Sequence, residues 1–157
     1  MSHEYTATVS WTRNGEVFSD GRYSRGHVWR FDGGIEVAAS SSPSVVPLPL
    51  SRAEAVDPEE AFVAAVSSCH MLTFLAIAGK KRFVVDRYED NAVGVMTKNA
   101  NGKLFVSRIT LDPTIAFSGD RVPTNEQLAE IHHLSHQECF IANSVLTEIV
   151  VKGIPSH

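Results

Sequence analysis

The chain has 157 residues, 43% hydrophobic and 20% charged, the balance of a globular protein long enough to bury a core. A net charge of −4 gives no basic surface for nucleic acid, and two cysteines 70 positions apart are too few for a secreted disulfide scaffold. Those cysteines are therefore core residues, metal ligands or a redox pair.

The opening residues, MSHEYTATVSW, carry no basic-then-apolar segment, so a cytosolic location is expected. Residues 5–11 (YTATVSW) alternate and read as a strand, with a turn at Arg13-Asn14-Gly15-Glu16. Residues 22–31 (RYSRGHVWRF) form a second strand, rich in aromatics and arginine. Asp32-Gly33-Gly34 is a tight turn into a third strand at 35–40, closing a hairpin. Residues 41–52 hold three prolines and read as a loop.

Residues 57–80, DPEEAFVAAVSSCHMLTFLAIAGK, predict the long helix around which the chain is organised. Asp57 is an N-cap and Pro58 suits the first helical position. Glu59 and Glu60 favour the positive end of the helix dipole, and Glu60 can close a capping box. Gly79, Lys80 and Lys81 suit its end. Between them the helix is apolar nearly all round, which predicts burial on every side. Its length alone would cross a membrane, but the capping carboxylates and the central Ser67, Ser68, Cys69 and His70 argue for a core helix, with no membrane partner.

Residues 83–98 predict a strand bent at Asn91, and Asn101-Gly102 a hairpin turn into a strand over 104–117, where Pro113 suggests an edge or bulge. Thr124 is an N-cap candidate for a helix from Asn125 to about His136, with Leu128, Ile131 and Leu134 on one face. A short helical turn at 139–144 and a strand at 146–151 end the chain. The order βββ-α-ββ-α-β, without repeats or a dividing linker, predicts one α+β domain over 1–157 with antiparallel sheet around a buried central helix.

Three groups of residues carry candidate chemistry. Cys69, and Cys139 beside Phe140, Ile141 and Ala142, are ordinarily small core residues; neither has a nearby CxxC partner. Arg22, Arg25 and Arg30 alternate with Tyr23, Trp29 and Phe31, as in any two-faced strand; if one guanidinium points inward, it can lower a cysteine's pKa and make it a nucleophile. His132, His136 and Cys139 fall at i, i+4 and i+7, a face that can bind zinc, although the spacing matches no established zinc pattern.

Together, YSRGHVWRFDGG at 23–34, DPEEAFVAAVSSCHMLTFL at 57–75 and HQECFIANSV at 136–145 resemble the OsmC/Ohr family, the osmotically inducible and organic hydroperoxide resistance proteins. The resemblance covers essentially the whole chain. Its most specific part is Glu59 ten residues before Cys69 on one helix, with a second cysteine about 70 residues on. It implies an intertwined homodimer and a thiol peroxidase that reduces organic hydroperoxides without metal, haem or other cofactor. Residue by residue, Cys69 matches the peroxidatic cysteine, Cys139 the resolving cysteine, Glu59 the active-site glutamate that pairs with an arginine, and Arg25 that arginine, with Arg22 the alternative. The implied reductant is a lipoyl-type dithiol. An apolar channel lined by Phe62, Phe74 or Phe140 would favour organic peroxides. Phe140 stands where better-known branches usually have proline, and His70 where they often have an aromatic, so the chain resembles a less-characterised OsmC-like branch.

Ten residues are about 15 Å along a helix, too far for Glu59 to touch Cys69. A second, antiparallel copy of the helix would bring the other chain's residues closer and cover apolar faces that one chain covers poorly. Both points favour a homodimer. The rival readings are a non-catalytic OsmC-like protein that binds an apolar small molecule, and a metal site at His132, His136 and Cys139.

Overall fold

The computed structural model describes residues 2–155, which fall into two compact units, 2–61 and 62–155. In the first, β1 (Ala7–Ser10), β2 (His27–Phe31) and β3 (Glu36–Ala39) form an antiparallel meander. Gly34, at φ +85°, makes the β2–β3 turn in a conformation that a side chain would oppose. Residues 41–52 run without helix or strand, as their prolines require. The chain then enters helix α1 (Pro58–Lys80) through the predicted capping box: Glu60 N–H donates to Asp57 Oδ1 at 2.8 Å, and Asp57 N–H to Glu60 Oε2 at 3.2 Å.

The second unit holds most of α1, then β4 (Val84–Asp90), β5 (Val93–Lys98), β6 (Leu104–Leu111), β7 (Pro113–Ser118), α2 (Asn125–Glu138), a 3₁₀ turn (Ala142–Ser144) and β8 (Glu148–Val151). The architecture is α+β, as expected. The bend foreseen at Asn91 is a full break, matched by a second one at Asp112-Pro113, so the two long strands become four. β4 pairs with β7, while β5, β6 and β8 make a separate sheet. β8 joins β6 in parallel, the exception to the antiparallel pairing expected, because it returns after the α2 crossover. Asp90 secures both breaks: Oδ1 accepts the Asp112 N–H at 2.7 Å and Oδ2 accepts the Ser67 hydroxyl of α1.

The two sheets pack on different stretches of α1. Phe74 and Ala78 join Phe83 and Ile131, with Tyr88, Ile115 and Leu128 around them. Val66 joins Ile109 and Leu111, with Phe62, Val63 and Ile149. Gly94 lets β5 approach closely, since a Cβ there would stand 2.6 Å from a Val63 methyl. The expected burial of α1 on every side is met along one stripe, Val66, His70, Phe74 and Ala78. Ala65, Ser68, Leu72 and Ala76 are exposed, Leu72 at 61%.

Phe74 is fully buried and closes the first cluster. Phe74→Ala is expected to lower unfolding stability by about 3–5 kcal/mol, read by urea denaturation as a lower midpoint at unchanged slope.

Candidate active site

Between the two apolar clusters the middle of α1 is polar, carrying Ser67, Cys69 and His70. Asp90 of β4 takes Ser67, and α2 supplies the groups beside the cysteine and the histidine. Its start is fixed by a second capping box, in which Gln127 N–H donates to Thr124 Oγ1 at 3.2 Å and Thr124 N–H to Gln127 Oε1 at 3.0 Å. Ile131 anchors its buried face. Its C-cap is Cys139, where the backbone turns extended at φ −71° and ψ 115°.

Cys69 and Cys139 are both free, and they lie near enough for Cys69 to influence the Cys139 thiol. Their environments differ. Cys69 is half-buried, whereas Cys139 is 1% exposed. Burial pushes the Cys139 thiol up to about 11, and the neighbouring Cys69 adds to the rise. The Ala142 N–H, 3.4 Å from the Cys139 sulfur, pulls the other way. The turn after α2 holds this cysteine firmly: Asn143 N–H donates to Cys139 O at 3.0 Å, and the Asn143 side chain to Gln137 O at 2.8 Å.

Beside the thiols lies a contact that the sequence did not reveal. His70 Nε2 and His132 Nδ1 are 3.0 Å apart, with rings stacked at 5.3 Å and 9° between planes. Phe74 packs on His132 at 4.6 Å. The partners are 62 residues apart, so no local motif links them. The one available signal is that His70 falls between Val66 and Phe74 at four-residue spacing, on the stripe that α1 buries.

The other expected residues are in the first unit or at its edge. Arg25 Nη1 donates to Gly21 O at 2.9 Å and to Tyr23 O, and its guanidinium lies 3.8 Å over the Tyr23 ring. His27 steadies the same loop: its Nε2 accepts the Trp29 indole N–H at 3.0 Å, which leaves Nδ1 to donate to Arg25 O at 2.8 Å. Arg22 is exposed. Glu59 is half-buried in the first turn of α1. Among the described residues Arg25 and Glu59 form no ion pair, contrary to the expected pairing, because carbonyls of its own loop hold the guanidinium.

Two arrangements that the sequence left open do not form among the described residues. The face His132, His136 and Cys139 does not form a metal site: α2 ends before Cys139, and His132 turns to His70. No group of three His, Cys, Asp or Glu side chains among the described residues could hold a metal ion. Nor do the three phenylalanines line one channel. Phe74 and Phe62 belong to different core clusters, and Phe140 is 80% exposed. Instead a cleft is lined by His132, His133 and His136 of α2 with Ile149, Val150 and Val151 of β8.

A family model described as OsmC-like protein matches residues 51–152. No curated protein matches the chain. Among solved structures, the chain is similar to an OsmC-like protein of unknown function from Vibrio cholerae, at 55% identity and a TM-score of 0.94 over 96% of this chain and 99% of that one. It is similar in fold to an OsmC-like protein from Mycoplasma pneumoniae, at 15% identity and a TM-score of 0.72 over 97% and 96% of the two chains. It is likewise similar to an organic hydroperoxide resistance protein from Elizabethkingia anophelis, at 16% identity and a TM-score of 0.67 over 96% and 98%.

The buried histidines make stability depend on pH. Burial, then the neighbouring imidazoles of His132 and His136, push His70 down to about 3; burial pushes His132 down to about 4. Both are neutral in the folded chain at pH 7, while unfolding frees them to bind protons below about 6.5. Their contribution is therefore complete above about pH 6.5 and falls as pH drops toward 4. Urea denaturation between pH 7 and 5 is expected to show falling stability, with a shallower fall in a His70→Phe, His132→Phe double variant.

Proposed function

The chain belongs to the OsmC-like protein family, and from that membership and its paired thiols we propose that it is a cytosolic thiol-dependent peroxidase that reduces organic hydroperoxides through Cys69 and Cys139. The observation that carries the reading is the proximity of two free thiols on different elements, one at the middle of α1 and one at the cap of α2. Local packing does not require two cysteines to meet there, whereas a reversible disulfide does.

The asymmetry of the pair supports a division of labour. Cys69, the more accessible, attacks the peroxide as its thiolate. An S–O bond forms as the O–O bond breaks, and the leaving alkoxide takes a proton and departs as the alcohol. The sulfur, oxidised by two electrons, is now a sulfenic acid. Cys139, buried and protonated at rest, is shielded from the peroxide. On losing its proton it attacks the sulfenic sulfur, expels water and closes the disulfide. A lipoyl-type dithiol then reopens the bridge by two exchanges and is itself oxidised to its cyclic disulfide.

Arg25 and Glu59 are proposed as the charged residues of the reaction, the guanidinium stabilising the thiolate and the leaving oxygen. A second copy of the chain is proposed as the partner that covers Ala65, Ser68, Leu72 and Ala76. This exposed stripe of small residues around one leucine runs along α1 and suits close helix approach.

Turnover of cumene hydroperoxide with dihydrolipoamide tests the reaction. Wild type is expected to turn over, Cys69→Ser to lose all activity, and Cys139→Ser to stop after one equivalent with Cys69 trapped as a sulfenic acid. No peroxide consumption by wild type, with both thiols intact afterwards, would sink the peroxidase and leave a binding protein built on the same fold. Light scattering at micromolar concentration tests the assembly. The wild type is expected at twice the 17.2 kDa chain mass, and Leu72→Glu shifted toward one chain; a wild-type mass of one chain defeats the dimer.

A further inference from the structure

The end of α2 lies near the middle of α1 at the thiol pair and touches it at a second place. That contact, built from the adjacent His70 and from His132 seven residues before Cys139, has no part in the reaction described above. Seven residues are about two turns, or about 10 Å, of helix. Two aliphatic side chains would fill the same space but leave α2 free to slide along α1. A hydrogen bond of 3.0 Å between stacked rings, with Phe74 against the second ring, allows little such movement. Both imidazoles are almost fully buried, His70 at 1% and His132 at 3% exposure, so water does not readily replace the bond.

Disulfide closure is sensitive to such slack. Its sulfur–sulfur distance and dihedral angle are narrowly set, and the effective concentration of one thiol at another falls quickly as their carriers drift apart. A sulfenic acid left waiting meets a second peroxide and is oxidised to sulfinic acid, which a dithiol does not reverse.

We propose that the His70–His132 pair is a positioning device for the thiol couple, pinning α2 two turns ahead of Cys139 so that this thiol resolves the Cys69 sulfenic acid before a second peroxide arrives. The proposal rests on the two-cysteine reading above, yet it has a test that needs no peroxide.

The full-length reduced protein is equilibrated with graded ratios of lipoamide to dihydrolipoamide, and the Cys69–Cys139 disulfide is quantified by thiol labelling. His132→Phe is expected to lower the equilibrium constant for closure about tenfold, as α2 loosens and the effective concentration of Cys139 at Cys69 falls. His132→Asn, whose amide falls near the position of Nδ1, is expected to recover most of it, and His70→Phe to repeat the loss from the other side. Phe83→Ala, which loosens the apolar cluster beside the pair without removing its hydrogen bond, is expected to leave the constant unchanged. With cumene hydroperoxide, His132→Phe is expected to consume the Cys69 thiol within twofold of the wild-type rate while accumulating more sulfinic acid. An unchanged closure constant in His132→Phe, or an equal fall in Phe83→Ala, overturns the proposal. Wild type that closes its disulfide but consumes no peroxide defeats the peroxidase reading alone, and peroxide turnover with an unaltered constant in His132→Phe defeats the positioning role alone.

Discussion

Helix α1 has almost no side that belongs in water, and hiding it governs the rest of the second unit. Each fully buried aliphatic or aromatic side chain is worth about 1.5–3 kcal/mol, so covering the stripe from Val66 to Ala78 is a dominant driving force. One continuous sheet could not lie flat on so long a helix, because twist carries its strands away from the axis. The chain instead breaks both long strands at one level and applies two smaller sheets to different stretches of the helix.

The break creates the candidate site. Where one sheet ends and the other begins, apolar cover is interrupted, and polar side chains of α1 find partners in place of solvent. Ser67 meets Asp90, His70 meets His132, and Cys69 lies near Cys139. Chemistry thus sits at a seam in the packing, close enough to both cores to be held rigidly. The same seam explains why one thiol is half-buried and the other enclosed. Cys69 is on the helix flank, whereas Cys139 is folded under its own turn by Ala142 and Asn143.

Much of this was legible in the sequence, for local reasons. The α1 boundaries followed from Asp57, Pro58 and the terminal glycine and lysines; the α2 start followed from Thr124; the hairpins followed from their glycine turns. The cysteines were legible through resemblance, since nothing in the residues around either one announces the other. What escaped was long-range. Asn91 suggested a bend and Pro113 an edge or bulge, but only their juxtaposition, secured by the Asp90 carboxylate, makes a division between sheets. The histidine pair spans 62 residues and resembles no motif. Arg25 shows a different limit, because its guanidinium is held by backbone carbonyls of Gly21 and Tyr23, partners that side-chain pattern does not encode.

The carboxylate of Asp90 has a consequence for how α1 can turn. A helix clothed in alanine, valine, leucine and phenylalanine looks much the same after a rotation about its own axis, and apolar packing alone gives little preference among such orientations. Ser67 bound to Asp90 and His70 bound to His132 are directional, and they occupy neighbouring sectors of the helix circumference. A rotation of 100°, the step from one residue to the next, would break both and carry Cys69 out of line with α2. Two polar contacts in an otherwise uniform surface thus act as the key that sets the helix's angular phase, and with it the residue that faces Cys139.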